Sequence, residues 1–154
     1  ISTVDELNAK METNLTLSKQ NDTVWNWLKE NCTFQKDPEE LAELLLQEYV
    51  DSVVLSAAQY GMPLEDMLSY YGMATEDDLR DYYRYSAIDL AKQYTIAQAI
   101  CDAEGMVADQ DAMEAYFEGS DYTNIVDYYG IGYVKMQVKY KLVSDKLMEY
   151  ATVK

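Results

Sequence analysis

Apolar residues recur at spacings of three and four along most of the chain, which is the period of amphipathic helices. One stripe has Leu79, Tyr83, Ala87, Leu90, Tyr94, Ala97 and Cys101. The strictest alternation is near the C-terminus, at Tyr133, Met136, Tyr140, Val143, Leu147 and Tyr150. The two-residue alternation of strands is almost absent. The pattern therefore predicts an all-α protein without a sheet, built from long helices and helical-hairpin arms.

Capping patterns predict where the first two helices begin. Thr3 and Glu6 form a capping box, which opens a helix running to about Asn31. Val4, Leu7 and Met11 recur in it at helical spacing, and Trp25 and Leu28 are predicted on an inward face. Asp37 before Pro38 is the predicted N-cap of the second helix, because proline suits the first helical position. That helix continues with the stripe Leu41, Leu44, Leu45, Tyr49, Val53 and Ala57.

Later helices are predicted from similar starting signals. A short helix is expected from Pro63 to Tyr71, and a long one opens at Thr75, with Asp78 three residues later. Two short helices follow, one opened by Asp109 that ends before Gly119, and one over residues 122–129.

Four glycines share one sequence context. The segment YGMPLEDMLSYYGM, residues 60–73, contains Gly61 and Gly72, and the pattern returns at Gly105 and Gly130. Each follows a helical run and precedes Met or Ile, which is typical of a left-handed helix C-cap. A phosphate loop needs several closely spaced glycines, whereas Gly61 and Gly72 stand far apart. We therefore interpret these glycines as helix ends.

Length and charge limit the possible functions. With 154 residues and 49% hydrophobic content, residues 1–154 are predicted to form one domain. Because the chain begins at Ile1, we expect it to be a fragment of a longer protein. The net charge is −16, and no Lys or Arg occurs over residues 37–79 or 93–134. This excludes nucleic acid as an expected partner. The acidic blocks are either a solvated surface or an attraction for basic partners.

Little in the sequence indicates catalysis or metal binding. Histidine is absent, and there is no nucleophile elbow or P-loop. Residues 109–120 begin like a calcium loop but carry Met113, Glu114 and Ser120 where ligands or glycine are needed. Cys32 and Cys101 are predicted to be two buried free thiols. We expect no enzyme activity, no metal and no cofactor, and no segment long and apolar enough for membrane insertion.

The supply of tyrosine and methionine is unusual. The chain has 15 Tyr and 8 Met against 2 Phe and 2 Trp. Most must pack between helices, but several fall at helix ends, where a core does not easily cover them. Such side chains suit adaptable recognition of apolar segments. The candidate peptide-binding residues are Met62, Met67, Tyr70, Tyr71, Met73, Met106, Tyr116, Phe117, Tyr128 and Tyr129.

Four sequence blocks together point to a known family. They are TVDEL, DPEELAELLLQEYVDSV, YGMPLEDMLSYYGMATEDDLRDYY and AKQYTIAQAICDAEGM. The third is the most specific, because it joins a turn segment, a Gly-Met pair and a capped acidic helix. From Ser2 to about Ala151, the chain resembles the C-terminal domain of bacterial trigger factors.

The resemblance implies an ATP-independent chaperone domain that binds unfolded or nascent polypeptides through apolar patches on helical arms. Parent proteins of the family also carry a ribosome-docking domain and a prolyl isomerase domain, and neither is present here. Ribosome binding is thus expected only through the absent N-terminal domain. The expected location is the cytoplasm. High Tyr content, low Lys content and a loose match in DYYGIGYVKMQVKYKLV leave open a secreted or lipid-anchored relative. The alternative function is a helical adaptor that binds one partner through its last helix.

Overall fold

The computed structural model describes residues 3–118 and 122–150, and this part of the protein is all-α. Helices account for 82% of it, and it contains no strand, which confirms the predicted fold class. The predicted positions Ser2, Gly119, Ser120 and Ala151 lie outside the described residues. The helices are α1 (Val4–Asn31), α2 (Glu39–Gln59), α3 (Leu64–Tyr70), α4 (Glu76–Glu104), α5 (Gln110–Tyr116), α6 (Thr123–Tyr129) and α7 (Ile131–Tyr150).

Side-chain caps hold the start of α1 and of α4. Thr3 Oγ1 accepts a hydrogen bond from the Glu6 N–H at 3.1 Å. At α4 the capping box is reciprocal: the Asp78 N–H donates to Thr75 Oγ1 at 3.2 Å, and the Thr75 N–H donates to Asp78 Oδ2 at 2.9 Å. Both predicted starts are therefore confirmed, because each box satisfies backbone N–H groups that have no partner within the helix.

The predicted start of α5 is confirmed, whereas the predicted start of α2 is not. Asp109 caps α5 as predicted, since its Oδ1 accepts from the Ala112 N–H at 2.9 Å. The prediction for α2 is wrong by one residue, because Pro38 is the N-cap and no side chain caps the helix. The Glu39 N–H instead donates to the Asp37 carbonyl at 2.9 Å, so a tight backbone turn precedes the helix.

Glycines end three helices in the predicted way. Gly61, Gly72 and Gly105 have φ of 62°, 75° and 67°, a range in which a side chain would be strained. The N–H of Met62 returns to the Ala57 carbonyl, and that of Met73 to the Leu68 carbonyl, both at 2.9 Å.

Gly130 behaves differently from the other three glycines. Its φ of 83° is combined with ψ of 151°, which is outside the left-handed helical region. The Gly130 N–H still reaches the Val126 carbonyl at 2.8 Å, and α7 begins at the next residue. Gly130 thus redirects the chain from α6 straight into α7.

The contacts divide the chain into two compact units. Unit 1 comprises residues 1–33 and 96–154, and unit 2 comprises residues 34–95. In unit 2, α3 packs on α2. The first part of α4 forms a helical hairpin with α2, in which Tyr83 stacks on Tyr49 and Arg80 contacts Glu43. The core of this hairpin contains Val50, Val53, Ala57, Met67, Leu68 and Leu79.

Unit 1 is organised around α7, which packs with α1, α5 and α6. Its buried residues include Trp25 and a cluster of Ala108, Met113, Val134 and Val138. Trp25 was predicted to face inward, and its ring stacks on Tyr140 with 4.6 Å between ring centroids. Val4 and Met11, which recur at helical spacing earlier in α1, are exposed. The side chain of Leu7, between them in the sequence, lies outside the described part.

In α2 and α7, the face of the helix that is buried differs from the apolar stripe predicted from the sequence. Leu44 of α2 is 70% exposed, while the unpredicted Ala42, Leu46 and Val50 are buried. A run of three leucines at 44–46 permits either phase, so the packing partners choose between them. In α7 the buried positions include Val134 and Val138. The neighbouring tyrosines lie at the edge of the core, because their hydroxyl groups need polar partners or water.

The predicted apolar stripe of α4 is confirmed. The prediction of two buried free cysteines is confirmed for Cys101 but not for Cys32. Leu79, Ala87, Tyr94, Ala97 and Cys101 are buried, while Tyr83 and Leu90 are partly covered. Both cysteines are free, as expected, but Cys32 is exposed rather than buried. It follows directly after the last residue of α1, where no helix covers it.

Candidate functional site

The most exposed group of predicted site residues lies at the two ends of α3, in unit 2. Met62 follows the turn after α2, and Tyr70 and Tyr71 close α3. Tyr60, one residue before Gly61, is exposed in the same region. We call Tyr60, Met62, Tyr70 and Tyr71 the arm tip. Because α3 has seven residues, its two ends are about 10 Å apart.

Local structure explains why the arm tip faces water. α3 buries Met67 and Leu68 in the core it shares with α2, whereas Tyr70 and Tyr71 are the last residue and the C-cap of α3 and lie exposed. Tyr70 is 82% exposed and Tyr60 is 78% exposed. The rings of Tyr70 and Tyr71 meet edge to face, with 5.7 Å between their centroids. The arm tip therefore presents aromatic surface that the hairpin itself does not cover.

Two predicted site residues belong to the core instead. Met67 is only 6% exposed and is part of the unit 2 core, so the expectation that its side chain lies uncovered is wrong. Met73 is half-buried and packs against the same core. The physical reason is the return of the chain after Gly61, which brings the inner face of α3 onto Val53 and Ala57. Met67 and Met73 therefore contribute to the core that holds α3, and not to the exposed surface of the arm tip.

The arm tip is surrounded by carboxylates without nearby cations in sequence. Glu65 and Asp66 are exposed on α3, and Glu76 and Asp77 are exposed in the first turn of α4. Arg80, the first cation after the acidic block, is partly buried. Its guanidinium contacts Glu43 at 3.2 Å and Gln47, both on α2, and Glu76 at 3.2 Å. Its positive charge is thus paired with carboxylates of the same unit.

The remaining predicted site residues lie in unit 1. Tyr128 and Tyr129 are exposed at the end of α6 and meet edge to face at 4.6 Å, and Tyr129 stacks on Tyr133 at 5.0 Å. Tyr116 is exposed and touches Phe117 edge to face at 4.8 Å.

Phe117 and Met106 are less accessible than the tyrosines of this unit. Phe117 is half-buried against the cluster around Met113, and stacks on Tyr122 at 5.5 Å. Met106 is half-buried after Gly105. We use the name unit 1 patch for the exposed tyrosines at the ends of α5 and α6, namely Tyr116, Tyr128 and Tyr129.

Sequence reasoning missed several exposed apolar side chains. Tyr60 precedes Gly61 as Tyr71 precedes Gly72, so the repeated Tyr-Gly-Met triplet was a usable signal. Tyr82 and Tyr85 are exposed on α4, and Trp27 is exposed on α1. Their exposure was not readable from the sequence, because helix interiors with apolar neighbours look the same whether covered or not.

The described residues contain neither a metal-binding cluster nor a helix that could span a membrane. Within residues 3–118 and 122–150, no group of three Cys, Asp or Glu side chains is arranged to hold a metal ion. Asp109, which resembled the first ligand of a calcium loop, caps α5. In the same part of the chain, no helix is both long and apolar enough to cross a membrane.

Fold and surface together define a helical arm protein in which Tyr70, Tyr71, Tyr116, Tyr128 and Tyr129 are exposed at helix ends. Residues 3–152 match the family model described as bacterial trigger factor protein (TF) C-terminus. The chain therefore belongs to the trigger factor C-terminal family, as its sequence blocks predicted. The match is to the chaperone-like part of trigger factor and not to its prolyl isomerase domain. Comparison with curated proteins and with solved structures gives no match.

Proposed function

We propose that this chain is an ATP-independent chaperone domain that binds unfolded or nascent polypeptides at the arm tip and the unit 1 patch. Family membership supports chaperone-type substrate binding in general. The observation that carries the specific proposal is the arm tip, where Tyr60 and Met62 lie exposed between α2 and α3, and Tyr70 and Tyr71 lie exposed at the end of α3.

The energetics suit weak, reversible capture. Covering one large apolar side chain contributes about 1.5–3 kcal/mol, and ordering a flexible client offsets part of it. Tyrosine adds a rigid ring with a polar hydroxyl, which can meet either apolar side chains or backbone groups of a client. A single patch therefore binds weakly. Two patches on one chain raise the effective concentration of the client for the second contact.

The acidic surround adds a preference among clients. The arm tip lies within the 43-residue block, residues 37–79, that has no Lys or Arg. Client segments with Lys or Arg near their apolar residues gain attraction, whereas acidic segments are repelled. This effect is screened beyond about 8 Å at physiological salt. Apolar contact therefore provides most of the binding affinity, and charge provides the preference for basic clients over acidic ones.

The wider setting of the domain is part of the proposal. The matched family describes a C-terminus, so we assign ribosome docking and any prolyl isomerase activity to other parts of a trigger factor. We propose the bacterial cytoplasm as its location, with a secreted or lipid-anchored relative as the alternative.

The decisive experiment replaces both exposed tyrosines at the end of α3, as Tyr70→Ser with Tyr71→Ser. The readout is suppression of aggregation of two reduced, denatured proteins of opposite net charge. Protection of both proteins should fall several-fold while circular dichroism is unchanged. Met67 is left intact, because it belongs to the core.

The matched control is Tyr85→Ser, which removes a ring that is 79% exposed on the side of α4. It should protect as well as the parent. If the double variant stays folded and still protects both proteins fully, the arm tip is not the binding surface. Raising salt should weaken protection of the basic protein only. An equal loss for both proteins would contradict the role of the acidic surround.

The adaptor alternative finds little support in α7. Among the described residues of that helix, the large apolar side chains that are exposed are Ile131 and Tyr150, one at each end. Val134, Val138 and Val143 are buried in unit 1. A single-partner adaptor would also fail to protect two unrelated denatured proteins, so the same assay separates the two functions.

A further inference from the structure

The eight methionines of the chain differ strongly in their access to water. All eight lie among the described residues, and only Met11 and Met62 are exposed, at 53% and 39%. Met67 and Met113 are buried in the cores of the two units, at 6% and 7%. The other four are half-buried, namely Met73, Met106, Met136 and Met148. A small reagent in solution therefore has its readiest access to Met11 and Met62.

The backbone fixes Met62 at the arm tip, away from the core. The Met62 N–H donates to the Ala57 carbonyl at 2.9 Å, across the left-handed turn at Gly61 with its φ of 62°. Unit 2 is described throughout, and its core cluster includes Met67 and has Met73 packed against it, but does not include Met62. A chemical change on the Met62 side chain therefore alters the arm tip and leaves the core that holds α3 intact.

The thioether of an exposed methionine reacts with peroxides. A lone pair on the Met62 sulfur attacks one oxygen of hydrogen peroxide, and the O–O bond breaks. The departing hydroxide takes the proton of the transferred oxygen, so the products are methionine sulfoxide and one water. Sulfur loses two electrons and the peroxide gains them. Two thiols of a sulfoxide reductase reverse the step and become a disulfide, with release of water.

The charge around Met62 favours an uncharged oxidant. Glu65 and Asp66 follow it on α3 and are exposed, and residues 37–79 contain no Lys or Arg. The resulting negative field repels anionic oxidants. Hydrogen peroxide is uncharged at neutral pH, so the field does not hold it away from the sulfur.

Oxidation replaces apolar surface that clients cover by a polar group. The sulfoxide oxygen accepts hydrogen bonds from water in the free protein and loses them when an apolar client segment covers it. One polar group left without a partner lowers affinity by about five-fold. Tyr60, Tyr70 and Tyr71 are unchanged by this reaction, so capture is weakened and not abolished.

We propose that Met62 is a reversible oxidation site, and that its sulfoxide weakens client capture at the arm tip. The inference rests on the proposed function, because it concerns regulation of the same surface. Peroxide lowers the affinity for clients, and a thiol-dependent sulfoxide reductase restores it.

The test uses the full chain with Cys32→Ser, which removes the exposed thiol that also reacts with peroxide. Hydrogen peroxide is added until peptide mass spectrometry shows sulfoxide at Met11 and Met62, with Met67 still reduced. The chain concentration that gives half protection of a denatured protein should then rise about five-fold, with circular dichroism unchanged. Reductases for both sulfoxide epimers, supplied with dithiothreitol, should restore the original value.

Three results of this test would overturn the proposal. The first is unchanged protection by a chain that is fully oxidised at Met62. The second is a Met62 that stays reduced while Met11 is oxidised. The third is a loss of helicity in step with Met62 oxidation, because the effect would then be unfolding.

Variants assign the effect to one sulfur, and each is compared with itself before and after peroxide. Met11→Leu should lose protection as the parent does, whereas Met62→Leu should keep whatever protection it has before treatment. Met62→Gln, with a polar amide in place of the thioether, should protect like the oxidised parent. If Met11→Leu is insensitive to peroxide and Met62→Leu is sensitive, the regulating residue is Met11 and the proposal is wrong.

The Tyr70→Ser with Tyr71→Ser variant separates this inference from the proposed function. If that variant stays folded and protects fully, the arm tip is not the client surface, and both fail. If it loses protection while the oxidised parent does not, the arm tip binds clients and only the role of Met62 is wrong.

Discussion

The indole Nε1 of Trp25 donates a hydrogen bond of 3.0 Å to Ser144 Oγ, joining residues 119 positions apart. Both side chains are buried, Trp25 on α1 and Ser144 on α7. Tyr140 stacks on the same indole, and burial raises the pKa of its phenol. A polar bond inside an apolar contact restricts the alignment of the two helices, because other alignments leave the indole N–H without a partner.

Ser144→Ala should therefore destabilise unit 1 more than its small change in volume suggests. The variant leaves a buried indole N–H unpaired, which costs about 1–3 kcal/mol. Urea unfolding followed by tryptophan fluorescence measures the loss. Ser86→Ala, on the exposed side of α4, is the matched control and should change stability by less than about 0.5 kcal/mol. Equal effects in the two variants would mean that the Trp25 bond contributes nothing.

Truncation of Met67 should mainly lower stability, whereas truncation of Met62 should mainly weaken client capture. Met67→Ala empties part of the unit 2 core and should cost about 2–5 kcal/mol in the free energy of unfolding. Met62→Ala removes a side chain that is partly exposed in the arm tip, and should cost far less while weakening client capture. Thermal melts and the aggregation assay report the two effects. A Met67→Ala protein as stable as the parent would contradict its burial.

Asp78 should make stability depend on pH in the acid range. The N–H of Ala74, the Thr75 side chain and the Thr75 N–H all bond its carboxylate, and these bonds lower its pKa. Because the folded pKa lies below the unfolded value of about 3.9, the contribution is complete above that value and is lost as pH falls through the folded pKa. The advantage of the parent over Asp78→Asn should therefore shrink below about pH 4.

Urea midpoints between pH 6 and pH 3 measure this dependence. Asp77→Asn is the control, since it removes the neighbouring carboxylate without touching the bonds from Ala74 and Thr75. A constant difference between the parent and Asp78→Asn at every pH would refute the role of the capping carboxylate.

The two cysteines should differ sharply in reactivity. Cys32 is exposed, whereas burial raises the pKa of the Cys101 thiol and also blocks reagents. Ellman's reagent at pH 8 should titrate one thiol in the native protein and the second only on unfolding. Cys32→Ser should leave no fast-reacting thiol. Two fast thiols in the native parent would show that Cys101 is accessible.

The candidate site was only partly readable from the sequence. Tyr70 and Tyr71 were identified correctly as exposed, because a tyrosine pair just before a left-handed glycine falls at the end of a helix. Met67 was misplaced, because a methionine three residues earlier has the same local pattern whether it points to solvent or to α2. Tyr60 was overlooked although its Tyr-Gly-Met triplet repeats that of Tyr71.

Local interactions along the chain determined the helices and their ends. The box of Thr75 and Asp78, the Asp109 cap and the positive φ of Gly61 and Gly72 act over a few residues, so the sequence alone specifies them. The helical period does the same for the overall fold class. Which face of each helix is buried was decided only by tertiary packing. The buried faces of α2 and α7, the burial of Met67 and the exposure of residues 3–19 of α1 depend on residues distant in sequence, and no local pattern contains that information.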